Sequence, residues 1–437
     1  MVLVPSHNKG GWRRDSLISW ELANVKPFQP FRYTAKAGDP ANLLTQPYDK
    51  ISPAMQTRYL AASPYNLVRI ILGEKREFDH DTDNIYTRAA QYLDDWIREG
   101  VLAQDAAPGF YAYSQEFEVP DSGERLKRQG FIGLGKLEDY SANVVYRHEQ
   151  TLTGPKKDRR ELLNRTRAHF GQIFMLYEDA TGATEVIFGD GTPGQRLPEP
   201  CLNVIDEYRT THRVWAIADA ARISAIQALM SDKKLLIADG HHRYETALGY
   251  AKDHPDDAAA QYVMMTFVNM HSPGLKILAT HRVLRGIDPT GFHDRAKEHW
   301  TATALHSVDE LKRALAEPNK SIVRIGLVTG AGQHLLERPR VGGELDVPVL
   351  HQDILGGLLG ISEEDVRDEK HIKYVRGIDA AVAEVREGDA EVAFILEPTP
   401  IDDMARIAFA GGVMPQKSTD FYPKLLSGIT IYRLGKE

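Results

Sequence analysis

Residues Lys234 to Leu248 read KLLIADGHHRYETAL, and the fold turns on this stretch. Leu235, Leu236, Ile237 and Ala238 make a short apolar run suited to a buried strand, and Tyr244, Ala247, Leu248 and Ala251 then recur at helical spacing. The polar block Asp239-Gly240-His241-His242-Arg243 therefore falls on a strand-to-helix turn. At such a turn the first helical N–H groups lack intrahelical partners and carry the positive end of the helix dipole, so an anion is stabilised there. Gly240 lets a ligand approach the backbone, Asp239 is placed to cap the helix or meet a cation, and Arg243 offers a fork to phosphate. The bland alternative is a capped helix start with solvated histidines. Against it, two imidazoles and an arginine directly after a buried strand are costly to place there without use.

Working outward, the chain alternates helical and strand patterns without an internal repeat. Residues 1–26 read as a tail, because Pro5, Gly10 and Gly11 break any period. A proline-pinned loop, Gln46 to Pro53, leads into a helix starting near Pro53, and Asn66 to Leu72 reads as a buried strand. Thr82 to Glu99 is an amphipathic helix with Ile85, Ala89, Tyr92, Leu93 and Trp96 on one stripe. Strands over Gly109 to Val119 and Arg128 to Leu137 flank the turn residues Pro120-Asp121-Ser122-Gly123, a hairpin pattern. Further strands are expected at Gln172 to Tyr177, Ala183 to Phe188, Tyr262 to Val268, Leu275 to Ala279, Ile322 to Val328 and Val392 to Leu396. A Gly/Pro loop spans Gly189 to Pro200, and a helix Ala218 to Met230. The expected class is α+β, multi-domain with mixed sheets: a tail 1–26, an α+β domain 27–140, a core 141–287, and a C-terminal α+β domain 288–437.

With 437 residues, 42% hydrophobic and 26% charged, the chain is long enough for two or three ordinary globular domains. A formal net charge of −8 argues against nucleic acid as the main partner, since neutralising phosphates needs a basic face. Cys201 is the sole cysteine, which excludes an intramolecular disulfide and a cysteine-rich zinc site. Nowhere do roughly 18 apolar residues run together as a membrane span requires. After Arg13-Arg14 the polar residues Asp15, Ser16, Ser19, Glu21 and Asn24 leave no apolar export segment, and a cytoplasmic location is expected.

Three other motifs have chemical potential. His148-Glu149 comes after the apolar Val144-Val145 and precedes a basic cluster at Lys156, Lys157, Arg159 and Arg160; Glu149 suits a general base if it lies near the anion site, and otherwise a surface glutamate. Gly411 to Lys424 places Lys417, Ser418 and Thr419 and a second lysine beside paired glycines, resembling a phosphate-cradling loop in residue types but without P-loop spacing. Pro47-Tyr48-Asp49 is a rigid turn. A histidine metal site drawing on His148, His241, His242, His271 and His281 is also open, although neighbouring helical residues point about 100° apart, so His241 and His242 do not pair on one ion as i, i+4 residues do.

Taken together, Pro47-Tyr48-Asp49, Ser63-Pro64-Tyr65-Asn66, His148-Glu149-x-Thr151, Asp158-Arg159, Ala238 to Ala247, Thr280-His281-Arg282 and Met414-Pro415-Gln416-Lys417-Ser418-Thr419 resemble the bacterial and archaeal family known as domain of unknown function 1015, from about Pro27 to Tyr432. The Asp-Gly-His-His-Arg turn is also similar to the signature of the ParB/sulfiredoxin superfamily, which includes ParB-like free serine kinases. That resemblance implies a nucleotide-binding core in which the turn Asp239 to Arg243, with Gly240, His241, His242 and Arg243, holds phosphates; Lys417, Ser418 and Thr419 are expected, from their residue types, to close over the same ligand from the last domain. It further implies Glu149, in its His148-Glu149 context, as the base acting on a hydroxyl; since phosphoryl transfer calls for charge neutralisation, Asp239 is expected to help place Mg²⁺. The 90 residues from Glu149 to Asp239 then contain an insertion relative to a compact ParB-like core. The expected function is a nucleotide-dependent phosphotransferase, using ATP or ADP with Mg²⁺ on a hydroxylated metabolite such as serine. Its rivals are a nucleotide-binding regulatory module without turnover and a metal-dependent hydrolase.

Overall fold

The computed structural model describes residues 22–120, 122–150, 153–182, 199–317 and 320–435. It is a mixed α and β structure built on two large sheets. The first has nine strands, in the order Val145–Tyr146, Leu235–Asp239, Ile173–Tyr177, Tyr262–Asn269, Arg125–Lys136, Phe110–Glu118, Thr211–Ile217 and Leu202–Ile205, with Val25–Lys26 added against Arg125–Lys136. Leu235–Asp239 runs parallel to Val145–Tyr146, and Tyr262–Asn269 parallel to Ile173–Tyr177, while the remaining pairings are antiparallel. One sheet thus takes strands from the stretches 27–140 and 141–287, and also Val25–Lys26 from the expected tail, whose last residues Ala23 and Val25 are buried against it. Phe110–Glu118 and Arg125–Lys136 form the expected hairpin.

The central strands of this sheet are covered on both sides, which is why Leu235 to Ala238 is apolar without alternation. On one face Leu235 and Ile237 join Tyr244, Ala247 and Ala251 of the helix His241–Asp253. On the other, Leu236 and Ala238 meet Met404, Met414, Phe421 and Leu426, so the C-terminal segment returns to close the core. Arg128, fully buried, ties that segment down: its guanidinium donates to the carbonyls of Tyr422 (3.2 Å) and Pro423 (2.5 Å) and to Gln115 Oε1, and lies 4.6 Å from the Phe174 ring.

The second sheet has six antiparallel strands, in the order Thr301–Leu305, Gly332–Pro339, Ile322–Thr329, Val392–Ile395, Thr280–Leu284 and Ile372–Arg376. Val308–Ala316 and Ile378–Arg386 pack through Leu311, Leu315, Val382 and Val385 on one face. Leu350, Ile354 and Leu355 cover the other. The run 275–284 splits into two strands in different sheets: Lys276–Leu278 pairs with Asp420–Tyr422, and Thr280–Leu284 enters the six-stranded sheet.

Most expected elements are present, among them the helices Pro53–Ala62, Ile85–Arg98 and Ala220–Met230. Asn66 to Leu72 is not a strand. A helical turn, Val68–Ile71, occupies it, because Asn66 Oδ1 accepts from the Val68 N–H at 2.9 Å and starts a helix that an apolar run this short does not distinguish from a buried strand. The strand expected at Ala183 to Phe188, and the loop after it up to residue 198, lie outside the described residues. Among the described residues no helix is long and apolar enough to cross a membrane.

Candidate active site

The strand Leu235–Asp239 ends at Gly240, whose φ of +97° turns the chain into the helix His241–Asp253. No side chain caps that helix start. Asp239 does not cap the helix; it pairs with two side-chain cations, Oδ2 receiving Arg243 Nη2 at 2.7 Å and Oδ1 receiving Lys424 Nζ at 2.8 Å. Burial works against its charge, but Lys424 and Arg243 outweigh burial and hold the carboxylate well below its usual range. Arg243 also donates from Nη1 to the Gln172 carbonyl at 2.5 Å, and its guanidinium lies over Gly240 and Gly171.

His148 and Glu149 reach the same turn. His148 is fully buried; Nδ1 is 2.8 Å from the Ile237 carbonyl, and Nε2 is 2.7 Å from Thr419 Oγ1. Burial pushes its pKa down to about 4, so the ring is neutral and bridges strand and loop, donating from Nδ1 and accepting at Nε2. Its ring meets His241 edge-on with centroids 4.8 Å apart, and His241 Nε2 is buried with no hydrogen-bond partner. The Met414 N–H donates to the His148 carbonyl at 2.8 Å, and the Lys417 N–H donates to Glu149 Oε1 at 2.5 Å. The His-Glu segment and the Met414 to Thr419 loop, more than 260 residues apart, are thereby zipped together. Burial raises the Glu149 pKa, with the Lys417 N–H opposing it.

Arg282, fully buried, supports this loop by donating to the carbonyls of Lys417 (3.0 Å) and Gln416 (3.4 Å). Ser418 turns inward, donating to the Pro415 carbonyl at 2.6 Å, so of the three loop residues only Lys417 and Thr419 line the cleft. The cleft is bounded by Tyr48 to Lys50, Glu149, Asp239 to Arg243, Lys417 and Lys424, among others. His242 lies on its wall, half-buried, with its pKa lowered by burial. Arg159 backs Tyr48, its guanidinium 4.0 Å from the ring centroid.

Several site residues carry no role in the sequence reading. Lys50 and Lys424 were legible as cations within quoted loops; Asp420 and Arg376 extend the network, since Lys424 lies 3.1 Å from Asp420, which pairs with Arg376 at 2.5 Å. Arg376 ends an ordinary strand, Ile372–Arg376, and nothing local marks it. Lys50 is only 4.0 Å from Asp420, and burial together with repulsion from Lys424 and Lys417 lowers its pKa. Three lysines that repel one another at a helix start favour an anion between them. Among the described residues, no group of three or more His, Cys, Asp or Glu is placed to hold a metal ion. His271 is not part of the cleft's lining and sits 3.8 Å from Glu178 on the surface, and His281 is buried, its Nδ1 accepting from the Leu396 N–H.

These features define a cleft lined by Lys50, Lys417 and Lys424 between a mixed sheet and a returning C-terminal loop. Residues 25–353 match the family described as protein of unknown function DUF1015, and the chain belongs to that family. No curated protein matches it. Among solved structures it is similar to a conserved hypothetical protein from Pyrococcus furiosus, at 13% identity and TM-score 0.34 over 64% of this chain and 89% of that one. It is also similar to a free serine kinase in complex with AMP, at 13% identity and TM-score 0.35 over 64% and 83%. A third is a C-terminally truncated SbnI from Staphylococcus aureus, at 10% identity and TM-score 0.35 over 68% and 85%.

Proposed function

We propose that this protein is a cytoplasmic phosphotransferase with a ParB-like core, moving a phosphoryl group from a nucleotide to a hydroxylated metabolite. The observation that carries the reading is the meeting of Glu149 with Lys50, Lys417, Lys424 and the Gly240–His241 helix start in one cleft. Phosphoryl transfer depends chiefly on positioning and charge neutralisation, which lysines and free helix N–H groups supply. Glu149 takes the acceptor's hydroxyl proton, helped by a carboxylate pKa raised through burial. The acceptor oxygen forms a bond to the terminal phosphorus, the bond from that phosphorus to the bridging oxygen breaks, and its electron pair leaves on the nucleotide's next phosphate. Gly240, His241, His242, Lys417 and Thr419 surround the phosphates, and Arg243 holds the turn in shape through Asp239 and Gln172. Mg²⁺ neutralises phosphate charge when it accompanies a nucleotide. Both oxygens of Asp239 already pair with cations, so a metal there displaces Arg243 or Lys424, and no step is assigned to it.

The test is a thermal shift of the whole protein with ATP, ADP, CTP and GTP plus Mg²⁺, alongside a product assay on a panel of hydroxylated metabolites. Nucleotide should raise the melting temperature, and Glu149→Gln should keep that shift while losing about a hundredfold or more in turnover. A shift without product from any acceptor would favour a regulatory module. No shift with any nucleotide would sink the reading.

A further inference from the structure

Tyr48 and Thr419 bring hydroxyls to the cleft wall, and that of Thr419 is joined to an imidazole: its Oγ1 lies 2.7 Å from His148 Nε2. The direction of this hydrogen bond follows from the far side of the ring. His148 Nδ1 is 2.8 Å from the Ile237 carbonyl, which only accepts, so Nδ1 carries the proton of the neutral ring and Nε2 takes the Thr419 hydrogen. A nucleophile, a base and a third group that orients the base thus stand in line, the arrangement that activates a hydroxyl. The neighbouring Ser418 is not so placed, since its hydroxyl donates to the Pro415 carbonyl at 2.6 Å.

The same geometry limits what Thr419 does for a bound nucleotide. With its hydrogen given to His148, Oγ1 has lone pairs and no donor left to offer, which is the property of a group that attacks phosphorus rather than one that clamps phosphate oxygens. Around it, Lys50, Lys417 and the start of the helix His241–Asp253 line the space that the reading above assigns to the phosphates. His241 meets His148 edge-on with centroids 4.8 Å apart, and its buried Nε2 lacks a hydrogen-bond partner, so one polar contact in this corner is unfilled.

We propose that Thr419 is a site of self-phosphorylation, taking the terminal phosphoryl group of a nucleoside triphosphate bound in the cleft. This rests on the nucleotide reading above and goes beyond it, because the acceptor is the protein itself. Thr419 Oγ1 forms a bond to the terminal phosphorus while the bond from that phosphorus to the bridging oxygen breaks. The electron pair of the broken bond leaves on the nucleoside diphosphate, and the hydroxyl proton passes to His148 Nε2. Burial holds His148 at a pKa of about 4, so the ring is neutral and ready to accept, and the phosphoryl group arriving beside it favours the imidazolium. The transition state of such transfers is loose, so little charge builds on the attacking oxygen and a weak base suffices. The phosphothreonine then occupies the space of the nucleotide's phosphates, and modification and nucleotide binding exclude each other.

The full chain is incubated with Mg²⁺ and ATP labelled at its terminal phosphate, with no metabolite acceptor, and the product is mapped by mass spectrometry. The expected result is acid-stable label on the peptide that contains Thr419. Thr419→Ser should keep the label, Thr419→Val should lose it, and His148→Gln should slow its incorporation about a hundredfold. Melting temperature and ATP-induced shift are measured for each variant, so that lost fold is not read as lost chemistry, and mapping the unaltered chain needs no variant at all. The phosphorylated chain, once separated, should no longer shift with ATP; an undiminished shift would overturn the mutual exclusion. Acid-labile label would place the phosphoryl group on a histidine or a carboxylate and overturn the assignment to Thr419. An ATP shift without any label overturns self-phosphorylation alone, and product from a metabolite acceptor in a parallel sample then shows that the phosphotransfer reading survives. Absence of the ATP shift itself overturns both.

Discussion

Replacing Lys424 with methionine probes the charge network that joins the two halves of the cleft. Lys424 is 8% exposed and lies 2.8 Å from Asp239 and 3.1 Å from Asp420. Breaking a buried pair by deleting one partner costs about 3–5 kcal/mol, but here Arg243 and Arg376 remain on the two carboxylates, so the lower end applies. A second route gives a similar figure. Burial alone would raise the Asp420 pKa, yet Lys424, Arg376 and Lys50 bring it from the usual 3.8 to about 2. A depressed carboxylate pKa stabilises the fold above the unfolded value and loses that contribution as pH falls through the folded one. The shift amounts to roughly 2 kcal/mol at pH 7 and roughly 1 kcal/mol at pH 3, and Lys424 is the leading source of it. Urea unfolding should therefore show Lys424→Met less stable than the parent by roughly 2–3 kcal/mol at pH 7. That gap should narrow by about 1 kcal/mol at pH 3, where the parent's own carboxylates take up protons. A gap below about 0.5 kcal/mol at pH 7, or one that widens on acidification, would refute the account of the network.

Gly240→Ala places a Cβ 3.0 to 3.1 Å from the Arg243 guanidinium at a φ of +97°, so the variant should lose roughly 1–3 kcal/mol and nucleotide affinity together, read by thermal melting with and without ATP. His148 and His281 are buried with pKa values brought down to about 4, so the unfolded chain takes protons first as pH falls from 6.5. Their contribution is complete above pH 6.5 and is lost between 6.5 and 4, costing several kcal/mol in order of magnitude; a urea midpoint unchanged from pH 7 to pH 4.5 would contradict it. Arg282→Met should free the Gln416 and Lys417 carbonyls, speeding proteolysis within 411–420 and lowering kcat/KM; an unaltered cleavage rate would show that the loop holds without it.

Much of the fold was legible because local pattern and tertiary demand agree. The change from the apolar run Leu235 to Ala238 to helical spacing after Gly240 is fixed by burial on both sides of the strand and by a residue that accepts positive φ, both written in adjacent residues. The hairpin around Pro120 to Gly123 was readable for the same reason. Asn66 to Leu72 misled because seven apolar-rich residues carry no period long enough to separate strand from helix; a single side-chain hydrogen bond from Asn66 decided the matter.

The residue types of the site were likewise present in the sequence, as two histidines, an arginine, a glutamate and a lysine-hydroxyl loop in separate motifs. Their meeting was not. Glu149 joins Lys417 because a parallel bridge and the Met414 N–H bring in a segment more than 260 residues away, and Lys424 reaches Asp239 from 185 residues away. Pairings at such separation depend on which strands the whole sheet aligns, a property no window of sequence contains. Tertiary structure likewise fixes the partners of Asp239, Arg243 and the distant Lys424, and brings Arg376 from an unremarkable strand to a network with Asp420 and Lys424. The sequence determined which chemical groups were available; the packing of two sheets and one returning loop determined which of them act together.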